Sequence, residues 1–136
     1  MRTLLIAMAV VAVPFAAEAK ERATFLSAGQ YATTEQCEKL RAVEAGGPNN
    51  VGTAPELLTA DGFHGWEGGC EFTKVFDHDP GKSWTAIMLC SEGMSSRPAL
   101  YHFVKDEKED RFEVTGPDSD DEGSAAYLRC DAKKEN

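Results

Sequence analysis

Four cysteines, Cys37, Cys70, Cys90 and Cys130, constrain this chain more than any other feature. Their spacings are 33, 20 and 40 residues, with no C-x-x-C and no paired Cys/His knuckle. Structural zinc sites use close pairs of ligands, so this spacing argues for disulfides. An even cysteine number in a small exported chain predicts two bonds. Three connectivities are open. Cys70–Cys90 with Cys37–Cys130 is one attractive choice. Cys37–Cys70 with Cys90–Cys130 is another, because it ties a helix to a sheet.

Export is predicted by the N-terminus "MRTLLIAMAVVAVPFAAEAK". Arg2 gives a positive start, Leu4 to Ala17 is apolar, and Ala17-Glu18-Ala19 is a small-x-small cleavage pattern. Residues 1–19 therefore read as a signal peptide, and cleavage leaves Lys20 first. A membrane span needs about 20 apolar residues and no such site. The expected setting is periplasmic or secreted, with no membrane span after cleavage. Residues 20–136 then form one domain.

"YATTEQCEKLRAVEAGGP" predicts a helix, with Thr33 and Gln36 as a capping box and Gly46 or Gly47 as its end. Cys37, Leu40 and Val43 recur on one face. "PNNVGTAPELLTADG" reads as loop, with one short turn around Leu57 and Leu58. From Phe63 onward the pattern is of strands. "HDPGK" puts Pro80 and Gly81 at the centre of a type II turn. A register placing Cys70 opposite Cys90 also places Phe72 opposite Met88 and Phe76 opposite Trp84. A two-residue turn misses that register by one. Gly68 and Gly69 signal a bulge or a close backbone approach. "ALYHFVK", "RFEVT" and "SAAYLRC" supply three more strands. The fold class this predicts is α+β: an N-terminal helix packed on a twisted antiparallel sheet of about five strands, held by two disulfides.

The net charge is −9, and residues 106–122 hold nine carboxylates against Lys108 and Arg111. Nucleic acid is excluded as a partner, since a basic footprint is missing. Clustered acid steers positive partners. A basic protein bound through Asp118, Asp120, Asp121 and Glu122 is therefore one expectation. In that form the chain inhibits a basic, lysozyme-like secreted enzyme. Asp118, Asp120 and Glu122 before Gly123 also look like half of a calcium loop. The twelfth ligand position is Arg129, however, so no metal is assigned. "DHD" at Asp77, His78 and Asp79 reads as a polar turn. No nucleophile elbow or P-loop is present, and oxidised cysteines leave no thiolate. No catalytic residue and no cofactor are predicted.

Trp66 and His64 are the other candidate binding residues. "FHGWEGG" sets them among glycines, which leave neighbouring aromatics exposed for recognition. The chain, through "TTEQCEKL", "DGFHGWEGGCEFTKVF", "PGKSWTAIMLCSEG" and "YLRCDA", resembles small uncharacterised exported proteins of Gram-negative bacteria. The resemblance implies a periplasmic setting and two disulfides, and it implies no activity. The sequence thus points to a non-enzymatic exported domain that binds a protein or small ligand. Inhibition of a basic enzyme and calcium or metal binding are the alternatives.

Overall fold

A computed structural model describes residues 21–46, 54–117 and 123–130. Residues 1–19, expected from the sequence to be a signal peptide, and Asp118, Asp120, Asp121 and Glu122 lie outside the described residues.

Among the described residues, eight antiparallel strands close into a barrel in sequence order. They are β1 (Tyr31–Ala32), β2 (Leu57–Thr59), β3 (Gly62–His64), β4 (Gly68–Asp79), β5 (Ser83–Glu92), β6 (Ser95–Lys105), β7 (Arg111–Thr115) and β8 (Ala125–Arg129). The one helix among the described residues, α1 (Thr34–Glu44), lies between β1 and β2. The expected α+β fold with a five-strand sheet is therefore wrong. The error has a physical source. β1, β2 and β3 are two or three residues long, too short to show alternation. The stretch read as loop around Leu57 and Leu58 is half of the β2–β3 hairpin. Pairing of Tyr31 with both Leu58 and Arg129 closes the ring.

The long strands β5 and β6 follow the alternation rule. Trp84, Ala86 and Met88 on β5 face inward, as do Phe103 on β6 and Phe112 and Val114 on β7. Eight strands enclose just enough space for side chains or one small ligand. Here the middle and one end are filled. Residues 21–30 fold under that end, burying Ala23 and Leu26. Phe25 stacks on Trp84 at 4.5 Å and meets Phe72, Phe103 and Phe112. Ala23 N–H donates to Ala60 O at 2.9 Å, and Arg22 pairs with Asp61.

α1 covers the outside of the short-strand seam. Thr33 caps it by accepting from Gln36 N–H. The Gln36 side chain does not complete a capping box. It accepts instead from Glu56 N–H at 3.0 Å and so ties the helix to the start of β2. Cys37 is buried with Ala32 and Cys130, while Leu40, Leu57 and Leu128 pack around them. Val43 is exposed, so the apolar helix face is shorter than its spacing implied.

The disulfides are Cys37–Cys130 and Cys70–Cys90. The first ties α1 to the end of β8, and the second crosses β4 and β5. Lys82 N–H donates to Asp79 O and Gly81 has φ +77°, the type II turn expected at Pro80-Gly81. Two single-residue bulges, at His78 and Thr73, correct the register beyond that turn. Phe76 consequently faces Thr85, and Trp84 faces Asp77 rather than Phe76. At Gly68 and Gly69 the backbone runs close to the carbonyls of Ser91 and Phe63, leaving no room for a Cβ. Those glycines thus mark close approach, while the bulges lie further along β4.

Candidate functional site: the mouth of the barrel

The end opposite the plug carries two adjoining hollows of about 380 and 420 Å³. Both are within the usual size of a small-molecule site. They share Glu56, Gly65, Gly68, Gly69, Tyr101 and Pro117, so they are two parts of one mouth.

Aromatic rings form the floor. Phe63 lies 4.9 Å from the Tyr101 ring and 5.7 Å from Tyr127. Phe63 and Tyr101 in turn rest against Phe103. The Cys70–Cys90 bond is part of the wall, with its sulfurs 3.7 and 4.0 Å from the Tyr101 hydroxyl. Glycines make the wall thin. A Cβ at Gly116 would collide with the Tyr101 ring.

The β3–β4 turn places Trp66 on the rim, 67% exposed. Trp84, by contrast, is 6% exposed and belongs to the core. His64 lines the other hollow, with its Nε2 3.1 Å from Thr59 Oγ1. Trp66 and His64 therefore lie at the same end of the barrel, in adjoining hollows. Tyr101, Tyr127 and Glu56 carry no local signal in the sequence. Only barrel closure brings β2, β3, β6 and β8 to one opening.

Glu56, Glu67, Glu92 and Arg97 supply the formal charge among the described mouth residues. Burial pushes the Tyr127 phenol up to about 12, and the nearby Glu56 carboxylate and Tyr101 add to this. A neutral phenol in an apolar setting can donate or accept a hydrogen bond. The mouth thus combines an aromatic floor in one hollow, a more polar wall in the other and excess negative charge.

The other candidates fall elsewhere. Asp106 and Asp110 belong to the β6–β7 loop at the plugged end. There Asp110 accepts from Tyr31 O–H at 2.9 Å and pairs with Arg129. Lys108 N–H donates to Asp106 Oδ1, which holds the Asp106 carboxyl below its usual range. Among the described residues no three His, Cys, Asp or Glu side chains converge as a metal site. No helix among them is long and apolar enough to cross a membrane. Comparison with protein-family models, curated proteins and solved structures finds no match to this chain.

Proposed function

We propose that this chain is an exported, non-enzymatic binding protein that takes a small ligand into the mouth of its barrel. The observation that carries this reading is the Phe63–Tyr101–Tyr127 floor beneath an exposed Trp66. Ligand sites in barrels favour the mouth, with apolar walls and few polar groups. Two disulfides support an oxidising compartment. Three carboxylates against one guanidinium favour a ligand with a positive group on an apolar body. Aromatic faces attract such cations, at about 0.5–2 kcal/mol each.

A neutral naphthylamine dye that fluoresces in apolar sites tests this. It should bind the mature protein and be displaced by an alkyltrimethylammonium at lower concentration than by an alkyl sulfate. Equal displacement by both would remove the charge preference. Dye binding unaffected by Trp66→Ala and Tyr101→Ala would remove the mouth.

Inhibition of a basic secreted enzyme is the second reading. Gly116 and Pro117, which lead into the acidic segment 118–122, line the same mouth. A lysine or arginine of a partner would then occupy the place of the small cation. Binding to such an enzyme should weaken steeply with salt and with neutralisation of Asp118, Asp120, Asp121 and Glu122.

A further inference from the structure

The outer wall of β4–β6 carries a constellation that the mouth does not use. His78 Nε2 lies 2.6 Å from Thr85 Oγ1, and His102 Nδ1 lies 3.1 Å from the same oxygen. The two rings are 5.8 Å apart. Three different strands contribute; both imidazoles are exposed, and Thr85 between them is half-buried. Two rules of strand geometry bring them there. Thr85 and His102 are directly paired across β5 and β6. His78 is the extra residue of the bulge between Asp77 and Asp79. A bulge re-aims its side chain. Here it turns the ring toward Thr85. The flanking Asp77 lines a different hollow, beside Trp84 and Arg22. The "DHD" triplet is therefore split, and His78 acquires a partner 24 residues away.

We propose that His78 and His102 form a two-imidazole site for a divalent transition metal, with Cu²⁺ bound most tightly. The sum of the two contacts to Thr85, 5.7 Å, is the upper limit on the separation of the two facing nitrogens. A metal bound to both at about 2.0–2.1 Å requires them about 3–4 Å apart. Rotation of two exposed rings closes that gap without moving a strand. A single hydroxyl has one hydrogen, so it cannot donate to both imidazoles. At least one facing nitrogen therefore presents N–H to the oxygen, and the metal takes that proton's place when the ring changes tautomer. Water completes the coordination, because among the described residues no third His, Cys, Asp or Glu joins the pair. Imidazole donors in an open N,O set follow the order that ends in copper. The chain's net charge of −9 raises the local concentration of any cation.

Thr85 holds the rings in place but is not itself a required ligand. The test uses the untagged mature chain, titrated with Cu²⁺, Ni²⁺ and Zn²⁺ by calorimetry and, for copper, by electron paramagnetic resonance. One equivalent of Cu²⁺ should bind with the nitrogen splitting of two imidazoles, ahead of Ni²⁺ and Zn²⁺. His78→Gln and His102→Gln should each weaken binding at least tenfold. His64→Gln should not change it, and Thr85→Val should keep it within a few-fold. Metal-free melting temperatures of all variants should match the parent, since the rings are exposed. Absence of stoichiometric copper binding would overturn the proposal. So would binding that survives loss of either His78 or His102.

Discussion

Cys70 stands directly opposite Cys90 although the Pro80-Gly81 turn starts β4 and β5 out of that register. Thr73 and His78 are each an extra residue on β4, and together they bring the cysteines into line. Bulges also bend a strand, and bending is what closes a sheet into a barrel.

Deleting Thr73 should therefore leave the disulfide intact. Phe72 would still face Met88, with regular pairing through to Ile87. The lost bend should cost about 1–3 kcal/mol, within the usual range for a disruptive single change. Thiol counting under denaturing conditions and a urea melt check both parts. Free thiols at Cys70 and Cys90 would contradict the register.

The two disulfides should differ in worth. Cys37–Cys130 spans 93 residues and Cys70–Cys90 spans 20. Loop-closure entropy assigns about 4.6 and about 3.3 kcal/mol respectively. The longer bond also fastens α1 over the seam made by the shortest strands. Cys37→Ala with Cys130→Ala should lower the melting temperature more than Cys70→Ala with Cys90→Ala.

Alkali should destabilise the fold through Tyr127. Its folded pKa, about 12, lies above the ordinary value of 10.0. The folded state thus holds the proton more tightly, and the stability this gives is complete below pH 10. It is lost as pH rises through 12. The loss attributable to this side chain is about 2–3 kcal/mol. Tyr127→Phe should flatten the fall in unfolding free energy between pH 10 and 12 relative to the parent.

Phe25→Ala should cost about 2–4 kcal/mol, because its ring is shared by Trp84, Phe72, Phe103 and Phe112. The indole of Trp84 should become more accessible to a collisional quencher in that variant. A melting temperature equal to the parent's would show that residues 21–30 are not a plug.

The legible and illegible parts of this fold divide by strand length. β5 and β6 span 10 and 11 residues, and their alternation places Tyr101 and Phe103 on one face and Leu100 and His102 on the other. The turn at Pro80-Gly81 and the cap at Thr33 follow from local backbone chemistry, and both are present. Tyr31–Ala32 is too short to alternate, yet those two residues close the barrel. Closure is a long-range event, joining Tyr31 to Arg129. The mouth inherits this limit. Trp66 and His64 could be found from their glycines. Glu56 and Tyr127 lie 71 residues apart, and only the closed ring brings them to one opening. His78 and His102 meet through a bulge at His78 that interrupts the alternation of β4.

The most direct measurement is a chemical-shift titration of isotopically labelled Lys20–Asn136 with an alkyltrimethylammonium. Saturable shifts confined to the residues around Phe63, Trp66, Tyr101 and Tyr127 are the predicted result. Shifts that never saturate, or that map to the outer wall around Ile87 and Leu100, would contradict the mouth as the binding site.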